Sequence, residues 1–381
     1  MQLLGILAFV LALLISVMLH EFGHYAMARS FGMKVSEFFL GFGARIWSTK
    51  KGETEFGIKA IPAGGYCKIE GMVPSDIMPE GEQSRAFYVA KSSRKLIVLG
   101  AGSLMHFVLG YLLLLLLFAG VGTNQLLPVV QEVVKDSAAQ SAGIRANDEI
   151  VAINGKTVTD WFNDVKAIRN SQGKALTLSI KRGSEIISVN ATPRLEKVDG
   201  KNRYILGIIN EVGLKRSNVI VSLKNSATVS VAFLRESVKS LIHLPTKIPA
   251  LWGQTVGGQD RDPNGLVGVV GAARVSGQAI GSTTLSISER LSTFILIVAS
   301  LNIFVGLFNL LPILPLDGGH MAVAIADEVR AFFARLRGRP RPAAIDVSIL
   351  TPITMVVFVI LAALTVLLLV ADIVNPVILN L

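Results

Sequence analysis

The sequence contains a single cysteine, Cys67, so no internal disulfide is possible and cysteine usage says nothing about redox compartment. Charge is scarce as well: 17% of the 381 residues are charged against 51% apolar, which excludes an ordinary soluble protein of this length. A long internal repeat and a low-complexity tract are both missing, which excludes a solenoid or an array. No Lys or Arg precedes the first apolar run, Leu3 to Met18. Ala26-Met27-Ala28 resembles a cleavage site, but a secretory signal would need that charged start, so the run reads as a retained helix.

The chain does have four apolar runs: Leu3 to Met18, Leu96 to Val121, Leu291 to Leu311 and Ile349 to Val370. Most approach the roughly 20 residues that a helix needs to cross a bilayer, so four spans are expected. Basic residues orient them. Arg29 to Lys95 carries 11 Lys and Arg, and Arg330, Arg335, Arg337, Arg339 and Arg341 follow the third run, which puts both segments in the cytoplasm and both chain ends outside. The 21 basic residues from Gly122 to Arg290 do not oppose this, because long translocated domains escape the rule. Topology accounts for much of the +10 net charge, and no nucleic-acid partner is expected.

Between the spans the period changes. Phe38, Phe39, Ile46, Trp47, Phe56, Ile58 and Ile61 fall in short runs broken by Gly41, Gly43, Gly52 and Gly64-Gly65, a membrane-associated β-meander within a cytoplasmic-side segment, 31–95. After the second span, 96–122, short β-like runs alternate with turn signals at Asn154-Gly155 and Arg182-Gly183 and a helical stretch from Trp161 to Ile168. This reads as an extracytoplasmic α+β domain, 124–194. Residues 195–288 read as a linker in which Val231, Leu234, Val238 and Leu241 recur at helical spacing opposite Arg235, Glu236 and Lys239, an amphipathic helix suited to the outer membrane surface. The third span, 289–320, is followed by a basic loop, 321–348, and the last span, 349–372.

His20-Glu21-Phe22-Gly23-His24 lies near the inner end of the first span, 1–30. Residues four apart share a helix face, so both imidazoles can bind one Zn²⁺ while Glu21, one step round, can reach a water beside the metal as general base. Such short motifs arise by chance on soluble helices, but three ionisable groups in or beside a membrane span are costly and mark function. Zinc needs a third protein ligand and an open position. Asp317 is the best candidate, because it follows the inner end of the third span, and spans one and three both run inward. His20 lies 17 residues beyond Leu3, about 26 Å along a helix and deep toward the cytoplasmic face.

Pro312 and Pro315 open the chain beyond the third span. Asn309 has two readings, a helix C-cap or a group that holds the scissile backbone and polarises its carbonyl. Asn302 reads as an interhelical hydrogen-bonding residue. His106 and His320 are chemically competent ligands that the site does not require.

Together these motifs resemble the site-2 protease family of intramembrane zinc metalloproteases, in particular the bacterial RseP-like group that activates sigma factors. The resemblance rests on His20-Glu21-x-x-His24, on Asn309-x-x-Pro312-x-x-Pro315-Leu316-Asp317-Gly318, on the hairpin tip Gly64-Gly65-Tyr66 and on the outer domain, and it covers nearly the whole chain. It implies a polytopic α-helical membrane protein of four transmembrane helices, with zinc on His20, His24 and Asp317, water activated by Glu21, and substrate contacted by Asn309. Strands around Ile58 to Ile69, including Ile58, Gly64, Gly65 and Tyr66, would pair with an unwound substrate.

The resemblance further implies that 124–194 is a PDZ domain, Ala142-Gly143-Ile144-Arg145-Ala146-Asn147-Asp148-Glu149-Ile150 being similar to its usual A-G-L-x-x-G-D-x-I stretch. The implied partners are the lipid bilayer and single-span membrane proteins such as an anti-sigma factor, with signal-peptide remnants as a second class. The implied location is the bacterial inner membrane, with the active site near its cytoplasmic leaflet. Three departures stand out: there is room for one PDZ domain, Asn147 replaces the common Gly, and His106 stands where many relatives have Asn. The alternative, a membrane-anchored PDZ scaffold with an inactive metal site, is opposed by the presence of His20, Glu21, His24 and Asp317 together.

Overall fold

The computed structural model describes residues 1–377 apart from 79, 160, 199–200 and 263–264. The chain forms two compact units, Gly122–Arg216 and the remainder on either side of it.

Helix α1 (Gln2–Ser30) is dominated by Leu, Ile, Ala and Val with no proline, and between Leu3 and Leu19 its one polar side chain, Ser16, turns its hydroxyl back to Ala12 O. Such a helix suits lipid, where its backbone bonds are all satisfied internally. Two long strands follow, β1 (Val35–Lys51) and β2 (Thr54–Ile69). Each serves twice. Glu37, Phe38, Phe39 and Leu40 lie between Lys68, Cys67, Tyr66 and Gly65 on one side and Glu55, Phe56, Gly57 and Ile58 on the other, and Ile58 in turn faces Trp47. Gly41 and Gly43, at φ of 86° and 84°, provide the bend that lets β1 fold back. The order across the sheet is therefore 65–69, 35–40, 54–58, 47–51, and residues 65–69 form one edge.

Helix α2 (Ser92–Leu115) continues through a wider turn to Val121. The second unit contains β3 (Thr123–Val133), α3 (Ala138–Ser141), β4 (Glu149–Ile153), β5 (Lys156–Thr157), α4 (Trp161–Asp164), α5 (Lys166–Arg169), β6 (Leu176–Arg182), β7 (Glu185–Ala191), β8 (Arg194–Val198), β9 (Lys201–Ile205) and β10 (Ile208–Lys215). The sheet order is β10-β3-β4-β6-β7, with β5 on β4 and a separate β8-β9 hairpin. Val130, Ile150, Leu178 and Ile180 are its fully buried centre, and Trp161 closes over them. Asn147 sits in the left-handed region at φ 70°, a conformation that Asn tolerates in place of Gly. The expected boundary at Arg194 falls short, because β10 supplies the strand that pairs with β3.

The rest of the first unit is helical: α6 (Val219–Ile242), α7 (Leu244–Val256), α8 (Val269–Gly281), α9 (Ile287–Asn309), α10 (Asp317–Leu336) and α11 (Thr351–Val374). Among the described residues four helices are long and apolar enough to cross a membrane: Gln2–Ser30, Ser92–Val121, Ile287–Asn309 and Val347–Val374. Three expectations need correction. The segment 195–288 is not a linker: α6 packs on α2 and α9, and α8 packs on α1 and α9. Its packing was hidden because it uses small residues. A Cβ on Gly277 would lie 2.8 Å from Ile6 Cγ1, and one on Gly5 would lie 2.8 Å from Ser276 O, so the two helices touch at their backbones. The third span ends at Asn309 and not at 320, since Pro312 has no N–H to continue it. The basic segment after it is no loop at its start, for α10 runs to Leu336 with Ala324 and Ala331 buried.

Candidate metal centre

Four elements build the site. Near the end of α1, His20 and His24 stand one turn apart and are both buried. Helix α2 crosses them at Gly102, where a Cβ would lie 2.4 Å from His24 Nε2 and 2.6 Å from His20 Cε1. On the other side a Cβ on Gly23 would lie 2.5 Å from Ala101 O. Only glycine at both positions allows this crossing. Asp317 arrives as the first residue of α10, whose start is pressed onto the preceding turn: a Cβ on Gly318 would lie 2.3 Å from Leu310 O.

The three donors converge. His20 Nε2 and His24 Nε2 are 3.1 Å apart, and Asp317 Oδ2 lies 3.2 Å from the first and 3.4 Å from the second. His24 Nδ1 is 2.8 Å from Val98 O and must donate to it, so His24 Nε2 carries a lone pair. Asp317 Oδ2 is buried with no hydrogen-bond partner among the described residues. Lone pairs held this close repel each other unless a cation lies among them. A tetrahedral zinc with ligand distances of about 2.0–2.2 Å would separate its ligands by about 3.3–3.6 Å, close to the spacing found. Two imidazoles and one carboxylate, three donors for an ion that takes four ligands, is a donor set for catalytic zinc.

Among the described residues the donor cluster is His20, His24 and Asp317, with neither His106 nor His320 in it. Glu21 lies beside the cluster, half-buried, and its carboxylate accepts the backbone N–H of Cys67 from the edge of the sheet. Gly65 touches it too: a Cβ there would lie 3.3 Å from Glu21 Cγ and 3.0 Å from Met18 Sδ. Gly64, at φ 151°, turns the chain into this edge. Tyr66 stacks between Phe39 and Phe42, and its hydroxyl is held by Glu37 and Lys59. Ile58 is misplaced in the expected substrate edge, because Leu40 and Trp47 flank it on both sides and leave its backbone no open side. Asn309 is the last helical residue of α9, half-buried, next to the Leu310 that contacts Gly318.

The residues missed from sequence are Val98, Gly102 and Cys67. Gly102 had a signal in Gly100-Ala101-Gly102-Ser103, a small-residue run inside a span. Val98 and Cys67 act through their backbones, which no side-chain pattern reveals. The Cys67 thiol itself is pushed up to about 12 by burial and by the nearby Glu21, so it is neither a ligand nor a nucleophile at neutral pH.

Comparison with known proteins agrees with this geometry. The sequence model of peptidase family M50 matches residues 8–361. The chain belongs to peptidase family M50. It is 34% identical to zinc metalloprotease Rip1 of Mycobacterium tuberculosis over 403 residues, covering 98% of each chain. It is 33% identical to Rip1 of Mycolicibacterium smegmatis over 405 residues, again covering 98% of each.

Proposed function

We propose that this M50 peptidase is a zinc-dependent endopeptidase that cuts transmembrane segments of other membrane proteins within the bilayer. The observation that carries this is the meeting of His20 and His24 from one span with Asp317 from the helix after another, beside Glu21 and an open sheet edge. His20, His24 and Asp317 would hold the zinc, which when bound would supply Lewis acidity to the hydrolysis. Glu21 takes the proton from the attacking water and passes it to the leaving amine. Asn309 is assigned to the substrate backbone near the scissile bond.

A transmembrane helix resists proteolysis because its backbone is bonded internally, and in hydrocarbon each broken bond costs several kcal/mol unless replaced. The edge Gly65-Tyr66-Cys67 offers replacements by strand addition. Cys67 N–H points outward to Glu21, and the two-residue period of a strand turns Gly65 the same way. A segment unwound along this edge passes within reach of Glu21. The excess of Lys and Arg supports a cytoplasmic side for the β1–β2 sheet and α10, with both chain ends and the Gly122–Arg216 unit outside, in a bacterial inner membrane. The left-handed Asn147 supports a PDZ reading of that unit. Single-span proteins such as an anti-sigma factor, or signal-peptide remnants, are the proposed substrates.

Glu21→Gln in the purified full-length chain tests the assignment, using a model membrane-spanning substrate in lipid vesicles. Cleavage is expected to fall by at least about 10²-fold while zinc content stays at the wild-type level. Near wild-type cleavage would overturn the role of Glu21.

A further inference from the structure

The two histidines of the metal centre are served unequally by their surroundings. A histidine that gives one ring nitrogen to a metal nearly always donates the proton on the other to a fixed acceptor, which sets its tautomer and orientation. His24 does so, to the Val98 carbonyl at 2.8 Å. His20 Nδ1 is buried and has no hydrogen-bond partner among the described residues.

One ring lies beside it. His106 stands two turns beyond Val98 on the same face of α2, with Gly102 between them, and its ring centre is 5.0 Å from that of His20 at an interplanar angle of 41°. At that separation a modest rotation of either ring brings a nitrogen of one within hydrogen-bond distance of a nitrogen of the other. The tautomers match. Asn302 Nδ2 donates to Val298 O at 2.8 Å, which fixes the amide and leaves Asn302 Oδ1 as the acceptor facing His106 Nδ1 at 2.9 Å. His106 Nδ1 therefore carries the proton and His106 Nε2 the lone pair. His20 turns Nε2 toward Asp317 and His24, so its proton is on Nδ1. A donor without an acceptor thus lies beside a ring whose free nitrogen is an acceptor.

We propose that His106, oriented by Asn302, accepts the Nδ1 proton of His20 and so positions that metal ligand. The chain Val298 O, Asn302, His106, His20 does for one imidazole what Val98 O does for the other. Both run through the single helix face Val98, Gly102, His106. Gly306 on α9 seats the ring, since a Cβ there would lie 3.0 Å from His106 Cβ. The inference rests on the zinc assignment above, and the role is positioning, not catalysis.

Zinc affinity of the full-length protein, measured by competition with a chelator, tests it without reference to cleavage. His106→Phe keeps a ring and loses the acceptor; it is expected to weaken zinc binding about 10- to 100-fold. His106→Gln, whose amide can both accept from His20 and donate to Asn302, is expected to recover most of that loss. A Phe variant with wild-type affinity, or a Gln variant as weak as Phe, would overturn the proposal. If His106→Phe does not accumulate as folded protein, Asn302→Leu carries the same test: it frees the His106 tautomer and is expected to lower affinity several-fold, and wild-type affinity there would overturn the proposal equally. Wild-type protein that binds no zinc would remove the metal assignment itself, and this inference with it, which separates the two failures.

Discussion

Asp148 in the Gly122–Arg216 unit and Asp317 beside the membrane spans are both carboxylates withdrawn from water, yet they are served in opposite ways. Asp148 is 1% exposed, and every direction around it is filled by a donor: Arg182 Nε at 2.8 Å, Arg182 Nη2 at 2.7 Å and the Arg145 N–H at 2.8 Å. Asp317 Oδ2 faces two imidazole nitrogens at 3.2 and 3.4 Å and makes no hydrogen bond among the described residues. Membrane depth does not explain the contrast, because Asp372 at the end of α11 is fully buried and well served. It accepts from Gly268 N at 3.0 Å, Gly271 N at 2.8 Å and Arg261 at 3.2 Å. A carboxylate that only holds a fold has its oxygens filled by the protein, whereas one aimed with other lone pairs at a common point is suited to hold a cation.

Removing each carboxylate in turn breaks the comparison at its strongest. Asp317→Ala is expected to abolish both zinc binding and cleavage in the full-length chain while its helices stay folded, because Oδ2 has no hydrogen-bond partner among the described residues. Asp148→Ala is expected to leave zinc content unchanged and to lower the melting of the Gly122–Arg216 unit by about 4–8 °C or more, followed by limited proteolysis. Stoichiometric zinc in Asp317→Ala would remove it from the donor set.

Acid sharpens the same contrast. The two hydrogen bonds from Arg182 hold the Asp148 carboxyl below its usual value, against the effect of burial and with help from the Arg145 N–H. A carboxyl depressed in the folded state contributes stability that is complete above the unfolded value of about 4 and is lost as pH falls through the folded value. The unit should therefore lose stability only below about pH 4, and Asp148→Asn should flatten that acid limb. An unchanged acid limb in Asp148→Asn would assign it to other carboxylates.

What could be read from sequence follows a physical rule. The meeting of His20, His24 and Asp317 was legible because ionisable side chains are expensive in a span and because Asp317 follows the inner end of another, and Leu- and Ile-rich runs of bilayer length announce the spans. The helix α8 and the end of the second unit were not, for different reasons. Gly5, Ser276 and Gly277 pack by closeness of backbone, which leaves no hydrophobic period, and β10 belongs to the unit only through its pairing with the distant β3. The Arg cluster from Arg335 to Arg341 drew attention to charge and away from the buried Ala324 and Ala331 that mark α10 as a helix. Ile58 was assigned to an edge because alternation along a strand reveals its faces but not its neighbours. Backbone donors and acceptors such as Cys67 N–H and Val98 O are common to all residues and become visible only in the fold.

Cys67 gives the finest test of that last point, because its side chain and its backbone predict opposite outcomes. The thiol is inert, being held at about 12, so Cys67→Ala should cleave as wild type does. The N–H is another matter: it donates to the Glu21 carboxylate and lies on the open edge at which a substrate strand would add. Proline removes that donor and little else at an edge position, where it is tolerated. Leaving a buried acceptor unserved costs about 1–3 kcal/mol, so Cys67→Pro is expected to slow cleavage roughly 5- to 150-fold. Zinc content should not change, since the donor cluster found among the described residues is His20, His24 and Asp317 and does not include Cys67. A substrate whose transmembrane helix is weakened by glycine needs less unwinding, yet it still needs the edge for alignment, so the defect should persist with it. If Cys67→Pro binds zinc and cleaves such a substrate at the wild-type rate, the edge does not align substrate and the β1–β2 sheet is only a cap on the membrane unit.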